Sequence, residues 1–104
     1  EKTELICFQI IANAGGAKTA FMELLTYAKK GDFDQAQAQI QQGDDFLNKG
    51  HELHEKLIQK ETAGNPNPFS LVLLHAEDQL MSALQIKTLA LELIDVYKRL
   101  PAIN

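Results

Sequence analysis

The stretch from Phe69 to Leu100 constrains this chain most, because it has the period of a helix yet is apolar on nearly every face. A helix advances about 100° per residue, so each side chain can be assigned to a sector. His75, Asp78, Gln79, Ser82 and Gln85 share one sector, which is apolar before them at Leu71 and after them at Leu89, Leu93 and Val96. Leu73, Leu74, Leu80, Leu84, Ile86 and Leu91 cover the remaining faces. An ordinary surface helix keeps its polar face along its whole length, whereas this one is polar only in the middle. The expectation is a helix buried almost all round, with a polar patch where burial costs most.

Leu71, His75, Asp78, Ser82, Gln85, Leu89, Glu92 and Val96 alternate steps of four and three, the a/d seam along which helices pack against copies of themselves. If identical helices meet in parallel, each Asp78 faces another. Carboxylates a few ångström apart repel by roughly 4 kcal/mol per pair at an effective dielectric near 20. Protonation or a cation must relieve that repulsion, and a hard divalent cation with oxygen ligands suits it. His75 lies one turn away, and imidazole offers a neutral nucleophilic nitrogen at physiological pH.

With 104 residues the chain reads as one domain over residues 1–104, large enough for a modest core and apt to gain from association. A net charge of -4 and the lack of any basic stripe argue against nucleic acid. Cys7 is the single cysteine, which excludes a disulfide framework and a Cys-based zinc site; beside Leu5, Ile6 and Phe8 it reads as a small buried hydrophobe. The opening EKTELICF lacks the apolar core of a signal peptide, and no uninterrupted apolar run suggests a membrane span. A soluble, cytoplasmic protein is expected.

Taken in order, Ile6, Ile10, Ala14, Ala17, Phe21, Leu24, Leu25 and Ala28 recur at helical spacing and predict a first helix over Thr3 to Lys30. Gly15 and Gly16 in its middle mark a bend or a close approach. The pair followed by Lys18 and Thr19 lacks the spacing and the preceding strand of a P-loop. Lys29, Lys30 and Gly31 end the helix, and Asp32 with Gln35 predicts a capping box for the next. Phe33, Ala36, Ile40, Leu47, Leu53 and Leu57 define the inner face of helix two, with Gly43 and Gly50 allowing close approach. Its four Gln between Gln37 and Gln42 read as solvated surface. His51 and His54 with Glu52 and Glu55 lack HExxH spacing and read as polar residues at a bundle edge rather than metal ligands. Thr62 to Asn67 is the only later break; Asn67 is the expected N-cap and Pro68 the first residue of helix three, which Pro101 stops. The predicted fold is all-α, an antiparallel three-helix bundle whose last helix can pack along its seam against copies of itself.

The run LVLLHAEDQLMSA at Leu71 to Ala83 resembles the lactose, cellobiose and chitobiose-specific enzyme IIA components of the bacterial phosphoenolpyruvate-dependent sugar phosphotransferase system, whose usual motif is HAQDHLM. IIANAGGAKTAF at Ile10 to Phe21, AKKGDFDQA at Ala28 to Ala36, LNKGHELHEKLIQKETAG at Leu47 to Gly64 and LALELIDVYKRL at Leu89 to Leu100 extend the likeness over nearly the whole chain. The resemblance implies phosphorylation of His75 on its outer ring nitrogen and a metal, Mg2+, held by Asp78 on the threefold axis of a trimer. It implies the histidine phosphocarrier protein as donor, a cysteine of enzyme IIB as acceptor, and a disaccharide entering through the membrane component IIC. Glu77 and Gln79 depart from the motif, where the family carries glutamine and a second histidine. Residues two apart on a helix do not face each other, so Glu77 is expected to point away from His75. The backbone carbonyl of Leu71 is a candidate to fix the His75 tautomer, and Leu71, Leu74 and Met81 are candidates to rim the site. The competing classes are a noncatalytic trimeric helical adaptor, with the same fold and no labelling, and a metal-storage bundle, which would need more inward carboxylates and histidines than helix three supplies.

Overall fold

A computed structural model describes residues 2–101. Three helices account for most of them: α1 Lys2–Lys29, α2 Phe33–Thr62 and α3 Leu71–Arg99. Together they form a rod 56 × 20 × 18 Å. The contacts between helices give the topology. Gly43 meets Phe21 and Gly16 meets Phe46, so numbers on α2 fall as those on α1 rise; the two run antiparallel. Glu77 with His54 and Lys87 with Asp44 set α3 antiparallel to α2 in the same way. The up-down-up bundle expected from the sequence is what the chain adopts.

α1 is the central element: α2 and α3 each pack along it and touch each other at only a few places. That position explains its composition. Ile10, Ala14, Ala17, Phe21 and Leu24 are fully buried, and most of the remaining core packs around them. By composition α1 is also long and apolar enough to cross a membrane, which is what a helix covered on two sides by its own chain requires as well.

The turns follow from local chemistry. Gly31 takes φ +80 after α1, a conformation costly for any residue with a Cβ, and Asp32 Oδ1 accepts from the Gln35 backbone N–H at 3.2 Å. The start of α3 differs from expectation. Ser70, not Asn67, is the N-cap, its Oγ accepting from Leu73 N–H at 3.1 Å. Asn67 is committed elsewhere: its Nδ2 donates to Leu57 O at 2.9 Å and to Glu61 Oε2 at 3.0 Å, buckling the connection onto α2. Two residues able to cap stand three apart, and tertiary contacts decide between them.

Two burial expectations are also corrected. Gln39 is 9% exposed rather than solvated, because it lies three residues from Ala36 and four from Gly43 on the inner stripe. In the single chain α3 buries only Ala76, Leu80, Ala83, Ala90 and Ile94; it is not buried all round. Leu71, Leu74, Met81, Leu89, Leu93 and Val96 remain exposed.

Close helix packing yields a test of opposite signs. A Cβ at Gly43 would stand 2.4 Å from Phe21 Cε1, inside a ring that is fully buried. Overpacking of this kind costs about 1–3 kcal/mol, more than the ~1 kcal/mol that Ala gains over Gly in a helix. Gly15, by contrast, has nothing within 4 Å of its would-be Cβ. Gly43→Ala should therefore lower the melting temperature and Gly15→Ala raise it, as read by circular dichroism. A shift of both in one direction would remove the ring clash as the reason for Gly43.

Candidate functional site

His75 lies in the second turn of α3, on the face that neither α1 nor α2 covers. Ala76 beside it is fully buried and anchors the turn to the bundle, so the imidazole is presented outward from a fixed backbone. Leu71, Leu74, His75 and Asp78 together line one open, largely apolar depression. Met81, a candidate for the same rim, is exposed but lies outside that lining.

None of the side-chain hydrogen bonds and ion pairs among the described residues engages His75 or Asp78. Leu71 O does not hold the ring in one tautomer, and Asp78 does not bond to Ser82. Both groups are presented to whatever covers this face. Leu89, Gln85 and Val96 continue the exposed seam beyond them, with Ser82 half-buried between.

The two residues that depart from the motif are both paired with side chains of other helices. Glu77 Oε2 meets His54 Nε2 on α2 at 3.0 Å, pointing away from His75 as expected. Lys18 Nζ on α1 donates to Gln79 Oε1. These pairings depend on the register between helices, and the separate stretches carry no signal for them. His54 is thereby a polar strut at the bundle edge, while His51 on the same helix is exposed. Lys87 Nζ with Asp44 Oδ1 at 2.7 Å is a second α2 to α3 strut. Half-exposed pairs of this kind contribute about 0–1 kcal/mol each, enough to set register but not to hold the fold.

Cys7 is 1% exposed. Burial pushes its thiol up from the ordinary value, and the carboxylates of Glu77 and Glu4 add to the shift. A thiol kept protonated is a poor nucleophile, which leaves His75 as the accessible nucleophile of this region. Gly15, Gly16 and Lys18 sit within continuous α1 rather than a phosphate-cradling loop.

Among the described residues of one chain, no three His, Cys, Asp or Glu side chains converge as a metal site would need. Asp78 contributes one carboxylate, so a cation at this position would require the same residue from other copies.

Residues 5–98 match the family described as "PTS system, Lactose/Cellobiose specific IIA subunit". The oligo-beta-mannoside-specific EIIA component of Bacillus subtilis is 41% identical over 95 residues, 91% of this chain and 86% of that one. The crystal structure of the cellobiose-specific enzyme IIA from Bacillus anthracis superposes with a TM-score of 0.93 at 38% identity, covering 95% of this chain and 91% of the other. The IIA(chitobiose) of Escherichia coli, solved in complex with HPr, superposes with a TM-score of 0.82 at 33% identity over 95% and 96% of the two chains. A three-helix bundle carrying HAEDQLM on the open face of its last helix thus belongs to the lactose/cellobiose-specific IIA subunits of the phosphotransferase system.

Proposed function

We propose that this chain is a phosphocarrier, taking a phosphoryl group on His75 from the histidine phosphocarrier protein and passing it to a cysteine of enzyme IIB. The observation that carries this reading is the position of His75: exposed, with no side-chain partner among the described residues, in an apolar depression it shares with Leu71 and Leu74. In the first step the donor's N–P bond breaks as the outer ring nitrogen of neutral His75 bonds to phosphorus. In the second, the N–P bond breaks and an S–P bond forms on the acceptor thiolate. The helix holds the nucleophile in a fixed orientation for in-line attack. With a partner protein docked on them, the rim leucines would exclude the water that otherwise discharges the phosphohistidine.

The chain serves as a cytoplasmic phosphotransferase component for uptake of a disaccharide of the cellobiose, lactose or chitobiose class, through the membrane component IIC. Mixing it with phosphoenolpyruvate, enzyme I and the phosphocarrier should yield acid-labile label that moves on to a IIB partner. A chain that acquires no such label would be an adaptor instead.

The exposed seam of α3 supports a homotrimer with parallel α3 helices at its axis. Three Asp78 carboxylates would then hold a divalent cation, Mg2+, whose role is to offset their mutual repulsion. That repulsion is roughly 4 kcal/mol per pair at an effective dielectric near 20. Chelation with EDTA should therefore weaken or dissociate the wild-type assembly. Asp78→Leu should give an assembly indifferent to EDTA, since leucine continues an apolar seam. Wild-type mass and melting temperature that ignore the chelator would rule out the ion.

A further inference from the structure

Charges on α3 next to His75 have the wrong sign for a phosphoryl group. Asp78 shares its face and Glu77 is two residues away, and a phosphorylated side chain carries a charge of about -1.5 to -2 near neutral pH. Helping such a group form and persist calls for a cation within reach, and a cation already neutralised by a carboxylate would serve poorly.

Lys18 is the candidate, since none of the ion pairs among the described residues engages it. It reaches across from α1, and its Nζ donates to Gln79 Oε1. Gln79 lies four residues after His75, so the two Cβ atoms are about 5–6 Å apart on one helix face. Helical side chains lean toward the N-terminus, which carries the Gln79 amide toward the His75 turn. Lys18 and Gln79 are both half-buried, so the ammonium is neither sealed in the core nor free in solvent. An amide oxygen holds an ammonium in place without cancelling its charge, and two of its three N–H donors stay available. Glu77, the carboxylate two residues before Gln79, is engaged with His54.

We propose that Lys18 is a phosphoryl-binding residue of this site, parked on the Gln79 amide in the unphosphorylated chain and shifting onto a phosphoryl oxygen when His75 is charged. The inference rests on His75 being the phosphoacceptor. The covalent change is unaltered: the donor nitrogen keeps the electron pair of the broken N–P bond, and His75 supplies the pair for the new one. Lys18 keeps its proton throughout and exchanges one hydrogen-bond acceptor for another.

The test compares wild type, Lys18→Met and Lys18→Arg in the phosphoenolpyruvate, enzyme I and phosphocarrier assay, with thermal melts alongside. Lys18→Met should be phosphorylated roughly ten- to a hundredfold more slowly, the range of one lost charge-assisted hydrogen bond. Its melting temperature should stay unchanged, and Lys18→Arg should recover most of the rate. A purely structural lysine would not be rescued in that way. Lys18→Gln repeats the neutral change with a polar end should the methionine variant fold poorly. Labelling of a neutral variant at the wild-type rate, or of Lys18→Arg as slowly as Lys18→Met, overturns the proposal. A wild-type chain that takes no label overturns the reading of His75 itself, an outcome distinct from either.

Discussion

His75→Ala is expected to take no acid-labile label from the phosphocarrier protein, whereas His51→Ala and His54→Ala should be labelled as wild type is. The chain has three histidines, and the structure separates them. His54 Nε2 is occupied by Glu77 at 3.0 Å. His51 is exposed on α2 but does not line the depression that holds His75. His75 combines exposure with an apolar depression able to seat a partner and shed water. Removing the sole nucleophile leaves no alternative route, so the fall should exceed roughly 10³-fold, as for other covalent-intermediate sites. Because the His75 side chain is exposed, the alanine variant should melt with wild type, which separates loss of chemistry from loss of fold. Label persisting in His75→Ala, or found on His51, ends this assignment.

The legibility of the site in the sequence follows the range of its contacts. His75 and Asp78 could be placed on one face from helical period alone, because they lie on a single helix. The partners of Glu77 and Gln79 could not, because they depend on how α2 and α1 slide against α3. The inner stripes of α1 and α2 were equally legible: apolar residues recur on one face, and the chain buries them against itself. Composition assigns Gln39 to the surface, whereas spacing puts it between Ala36 and Gly43 on the inner stripe, where it is buried. The start of α3 departs from local signals for another reason. Pro68 favours Asn67 as the cap, but the Asn67 amide bonds to Leu57 O instead. α3 is the instructive case. Its pattern reports apolar faces correctly, yet hydrophobicity does not specify what covers a face, and its own chain covers only the Ala76, Leu80, Ala83, Ala90 and Ile94 stripe.

Leu89→Asp is expected to convert the proposed trimer into folded monomers. Leu89 is 64% exposed in the single chain, with Leu71 at 78% and Val96 at 48% on the same seam. Fully burying a leucine side chain is worth about 1.5–3 kcal/mol, and in a trimer one substitution removes that gain three times around one axis. A loss of roughly 5–9 kcal/mol corresponds to 10³- to 10⁶-fold in association. Three unpaired carboxylates brought together in an apolar layer raise the cost further. Within one chain the same substitution touches little, since the core of α3 lies on the other face, so helicity by circular dichroism should be retained. Ile94→Asp supplies the contrast: Ile94 is 7% exposed against the bundle, and a charge there should unfold the chain rather than dissociate it. Light scattering read together with circular dichroism distinguishes the two. A Leu89→Asp protein that keeps the wild-type mass would show that the seam of α3 is not where the copies meet, and Asp78 would then have no symmetry mates with which to share an ion.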